Sequence, residues 1–74
     1  MRTYEYAAQA LNALMQAHGL TVAELSRQTG VDAGVLRAIA AGKRRTVSTR
    51  TILALAQCFG LPMQTLIERF SGRV

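Results

Sequence analysis

Along residues 3–18, TYEYAAQALNALMQAH, apolar side chains at Ala7, Leu11 and Leu14, with Met15 or His18 beside them, recur at helical spacing among good helix formers. Gly19 supplies the stop. A second pattern opens at Thr21-Val22-Ala23-Glu24, where the threonine hydroxyl and the glutamate carboxylate can each satisfy a backbone N–H that a helix start leaves unpaired. Val22 and Leu25, with Ser26 at the margin, carry this helix to Gly30. Asp32 is then placed to cap a third helix, in which Val35, Leu36 and Ile39 keep the spacing until Gly42. Ser48 is placed to cap a fourth, running through Ile52, Leu53, Leu55, Ala56 and Phe59 to Gly60. Leu61-Pro62 starts a fifth, Met63 to Phe70, with Leu66, Ile67 and Phe70 on one face. The proline is tolerated there because the first turn needs no donor. No stretch alternates polar and apolar over strand length, so the expectation is an all-α fold of five short helices. One domain over 1–74 is expected, with a flexible tail at 71–74.

Helices two and three, each of about two to three turns and separated by about four residues, are too close in the chain to lie side by side. They must cross steeply, which makes the third project. Residues 20–43, LTVAELSRQTGVDAGVLRAIAAGK, are therefore read as a helix-turn-helix core with the rest as its support.

Composition adds a partner class. The formal net charge is +5 with pI near 10.8. Of nine basic residues, five (Arg37, Lys43, Arg44, Arg45 and Arg50) fall within 14 positions. A basic run alone is as readily a solvated loop, but directly after a projecting helix it reads as a phosphate clamp. A chain of 74 residues buries only about 60% of its unfolded surface, so dimerisation is expected.

Other classes are disfavoured. The single cysteine, Cys58, excludes an internal disulfide and sits among Ala54, Leu55 and Phe59 as a buried or half-buried thiol. His18 lies in the last turn of its helix, suited to a capping or surface role. With four acidic residues, one histidine and no nucleophile beside a base, no catalytic residues, metal or cofactor are expected, and the chain does not read as an enzyme. Glu5, Gln9, Asn12 and Gln16 interrupt the N-terminal apolar run, so neither signal peptide nor membrane span is expected, and the cytoplasm is the expected location.

Taken in order, GLTVAEL at 19–25, Gly30-Val31 with Leu36 and Ile39 six and nine residues past the glycine, AGK at 41–43 and ALAQCFGLP at 54–62 resemble the Cro and phage-repressor, or Xre-type, helix-turn-helix family. The resemblance covers nearly the whole chain and implies a lambda-repressor-like domain. It implies that helix three, Asp32 to Ala41, enters the major groove while the second crosses the phosphates, and that a homodimer reads two half-sites about one turn of DNA apart. Double-stranded DNA is then the implied partner, and transcription regulation the implied role, as a repressor or autoregulator of phage, plasmid or toxin–antitoxin type. Base-contact candidates are Asp32, Ala33, Gly34, Val35, Arg37 and Ala38. Phosphate-contact candidates are Thr21, Arg27, Lys43, Arg44, Arg45, Ser48 and Arg50. Leu61, Met63, Ile67 and Phe70 are dimer candidates, each of which can equally serve its own core.

The chain departs from the family pattern at telling positions. Relatives commonly carry Gln, Ser, Arg, Lys or Asn on the outward face of helix three, whereas this chain offers only Asp32 and Arg37. Val22 stands where a phosphate-touching glutamine is frequent, and Ala41 where a polar residue is common. Met15 and Ala40 occupy positions that in some relatives hold an Arg–Glu pair, an exchange that leaves no charge unpaired. The small outward face has two readings. It can sit deep in a groove, with thymine methyls on alanine and Val35 and with Arg37 on a guanine or a phosphate. Alternatively it packs on a cognate protein, as an antirepressor, antitoxin or adaptor would, without specific DNA reading. Gly34, about 1 kcal/mol worse than alanine inside a helix, implies close approach of something.

Overall fold

A computed structural model describes residues 3–43 and 47–71, with side chains from Tyr6 onward. Five helices and no strand are found among them: α1 (Thr3–His18), α2 (Val22–Thr29), α3 (Ala33–Ala40), α4 (Thr49–Phe59) and α5 (Met63–Ser71). The all-α expectation holds, and the helices begin and end within about one residue of those anticipated. Asp32 and Ala41, expected as the ends of the third helix, are its caps. Ser71 is the last residue of α5, so that helix runs one residue into the expected tail, and 72–74 lie outside the described residues.

One apolar centre joins all five. Leu11, Leu25, Leu36, Ile39, Leu55 and Leu66 are fully buried, with Ala7, Leu14, Ala56, Phe59 and Phe70 beside them, and among the described residues no polar or charged side chain shares that interior. Burying each such leucine is worth roughly 1.5–3 kcal/mol, which is what offsets the ordering of helices too short to persist alone. α1 packs on α5 and α3, α2 on α3 and α4, and α4 on α5. α3 is thus held from both sides through Leu36 and Ile39. Met15 and Ala40 are both half-buried against the core, where an ion pair would have needed desolvation.

The ends of α1, α3 and α4 share one hydrogen-bonding pattern. At α3, Gly42 N–H donates to the Ile39 carbonyl (3.0 Å) and Lys43 N–H to the Ala38 carbonyl (2.9 Å), with Gly42 at φ 73°. Leu20 and Leu61 return in the same way to Met15 and Ala56. α2 ends differently. Gly30, at φ 76°, donates to the Ser26 carbonyl, while the Ser26 hydroxyl donates to the Val31 carbonyl (2.6 Å) and Val31 N–H to the Thr29 hydroxyl (3.1 Å). Both side chains of the turn are spent on its own backbone, so the angle between α2 and α3 is locally determined.

Candidate nucleic-acid interface

The outward side of α3 is assembled from its ends. Its start is closed by Asp32, whose Oδ1 accepts from Gly34 N–H (2.8 Å) and Val35 N–H (3.2 Å). A Cβ at Gly34 would stand 2.9 Å from that same oxygen. The close approach anticipated for Gly34 is therefore made by the chain's own capping carboxylate. Along the helix, Gly34 and Arg37 are exposed and Ala41 continues that side beyond the last turn, while Ala33 and Ala38 lie half-buried at the edges. Val35 is half-buried and packs against the core, so it offers only part of its surface outward. The exposed strip is narrow, with Arg37 as its one long side chain.

At the far end of α3 the last four carbonyls, which a helix cannot satisfy internally, all have partners. Ala41 N–H donates to the Arg37 carbonyl, Lys43 and Gly42 N–H groups to those of Ala38 and Ile39, and the Asn12 side-chain amide of α1 to that of Ala40, at 2.9 Å. Lys43 leaves this end exposed. Arg44 and Arg45, the remainder of the expected clamp, lie outside the described residues.

The starts of α2 and α4 are the other expected phosphate sites. At α2 the capping box is complete: Thr21 Oγ1 accepts from Glu24 N–H (3.2 Å), and Thr21 N–H and hydroxyl both donate to Glu24 Oε1 (3.0 Å each). Those bonds, the backbone one first, hold the Glu24 carboxyl below its ordinary pKa, with a smaller pull from Arg27. The one hydrogen bond that the Thr21 hydroxyl can donate is thus spent on a carboxylate, and a phosphate there would meet the Val22 and Ala23 amides instead. Ser48 is committed in the same manner, accepting from Thr51 N–H (3.2 Å) and donating to the Thr51 hydroxyl (3.0 Å). Its exposed neighbours Thr49 and Arg50 carry the first-turn amides of α4.

Residues 10–71 match the sequence model of the Cro/C1-type HTH DNA-binding domain. The chain belongs to that family. No curated protein and no solved structure matches it at a significant level. A Cro/C1-type domain is a DNA-binding regulator module rather than an enzyme scaffold, and the expected resemblance is upheld over most of the chain.

Elsewhere on this Cro/C1-type domain the expected dimer residues separate. Phe70 is 4% exposed and belongs to the core, the alternative role that its place on the stripe allowed. Leu61 and Met63 are half-buried against the core, and Ile67 alone of the four reaches 36% exposure. Leu53, which the sequence places in the apolar run of α4, is 44% exposed. It stands about 100° around the helix from Ile52 and 200° from Leu55, which turns it away from the core. Cys58 is half-buried and its thiol donates to Gln28 Oε1 at 3.3 Å, on the wall of an open cleft of about 260 Å³ shared with Thr29, Ala54 and Gln57. His18 is exposed and leans its ring on Phe59, centroids 4.9 Å apart. Among the described residues no cluster of His, Cys, Asp or Glu could hold a metal, and no helix is long and apolar enough to cross a membrane.

Proposed function

We propose that the chain is a single-domain, homodimeric transcriptional regulator, a repressor or autoregulator, that lays α3 in the major groove of double-stranded DNA. The observation that carries this reading is the narrow exposed strip of α3, with Arg37 as its only long side chain, running directly into the exposed Lys43. Such a strip admits close approach to base edges but offers few donors for reading them. Affinity therefore rests on phosphate contacts from Arg27, Lys43 and Arg50, with Arg44 and Arg45 beyond the described residues, and on the first-turn amides of α2 and α4. Thr21 and Ser48 serve by shaping those helix starts. Asp32 caps α3 and keeps one oxygen for a cytosine amine. The dimer contact centres on Ile67, with Leu61 and Met63 at its margin.

Salt dependence of duplex binding tests the reading. Five neutralised phosphates per chain, ten for the dimer, predict a log–log slope of about −9. Absence of binding to any duplex at low salt would overturn it in favour of a protein-interaction module on the same fold.

A further inference from the structure

We propose that Asn12, on α1, is a positioning residue for DNA recognition, acting through α3 rather than by touching DNA. This rests on the DNA-binding reading above. Three of the four open carbonyls at the end of α3 are closed by the chain that follows, as at the ends of α1 and α4. The fourth, on Ala40, receives the amide of Asn12 from 28 residues away, at 2.9 Å. This tie joins the last turn of α3 to α1 at the point where the chain turns out toward Lys43, and it is the side-chain hydrogen bond found between α1 and α3 among the described residues. Nearby on the same two helices, Met15 and Ala40 pack against the apolar core, and such packing lacks directional preference. A hydrogen bond supplies what it lacks: one preferred register along the α3 axis. Asn12 is exposed, so its removal opens no cavity, and the effect falls on where α3 ends rather than on whether the domain folds. Selective binding depends on placing Arg37 at a base edge within a fraction of an ångström, whereas phosphate binding by the mobile arms of lysine and arginine does not.

The test compares two neutral replacements, Asn12→Leu and Asn12→Ala, with the wild-type chain on two probes, a duplex recovered from an unbiased selection and a random duplex of equal length. Binding is measured well below the melting temperature and at one salt concentration. The expected result for both variants is an affinity for the selected duplex lower by about three- to tenfold, the equivalent of one hydrogen bond, with random-duplex binding unchanged. Amide exchange at Gly42 and Lys43 should quicken in parallel. A purely structural role would lower the melting temperature and leave the ratio of the two affinities alone. Wild-type selectivity in both variants overturns the proposal while leaving the DNA reading intact, and failure of the wild-type chain to bind any duplex overturns both.

Discussion

α2 and α3 are both eight-residue helices with a fully buried leucine at their centre, yet their termini are secured by different means. Everything at the ends of α2 comes from within ten residues: Thr21 and Glu24 close its start, and Ser26, Thr29 and Gly30 close its end. α3 relies on a single carboxylate at its start and, at its finish, on the chain that follows for three carbonyls and on a residue from another helix for the fourth. α2 can therefore take up its ends as soon as it forms, whereas α3 is finished only once α1 has docked. The helix expected to meet DNA is the one whose placement depends on the rest of the domain.

The largest test of this contrast is meant to show no contrast at all. Leu25 and Leu36 are equally buried, so Leu25→Ala and Leu36→Ala should each cost about 2–5 kcal/mol, read from the denaturant midpoint. Unequal costs would mean that one helix contributes to the core far less than its burial implies. Gly30→Ala comes next. Nothing lies within 4 Å of the added methyl, so the penalty is that of a left-handed φ of 76° alone, about 1–2 kcal/mol. Thr21→Ala should follow at about 1 kcal/mol.

The same capping box carries a pH signature. Because Glu24 has a folded pKa below its unfolded one, its contribution is present above the unfolded value and is lost as pH falls through the folded value. A Glu24→Gln variant keeps a box-competent side chain and should flatten the acid limb of the melting-temperature profile. An unchanged limb would place the acid sensitivity elsewhere. Smallest of all is Gly34→Ala, where up to about 1 kcal/mol of helix propensity is offset by displacement of the Asp32 carboxylate. The net change should stay within about 0.5 kcal/mol.

What could be read in advance follows the same division. The capping box, the Gly30 turn, the Asp32 and Ser48 caps and the Leu36/Ile39 pair were legible because each is a relation between residues a few positions apart. The Asn12 tie was not, since nothing local distinguishes that asparagine from Gln9 or Gln16 on the same helix. Neither was the division of Ile67 from Phe70, three residues apart on one apparent stripe. Packing of α5 on α1 decides which of them turns inward. The exposure of Leu53 was not legible either, because a run of apolar residues in α4 is wider than the face the core can cover. Among site residues, exposure of Arg27, Arg37, Lys43 and Arg50 accords with their expected place at the surface, while Thr21 and Ser48 proved to be engaged with their own helices.

Under the proposed function, α3 reads DNA through Arg37 while the surrounding cations supply affinity without selectivity. The most direct measurement is the binding of Arg37→Ala to a selected duplex and to a random one at a single salt concentration. The expected result is a loss of about 1–3 kcal/mol on the selected sequence and a much smaller loss on the random one. Equal losses on both would place Arg37 on a phosphate and contradict that reading.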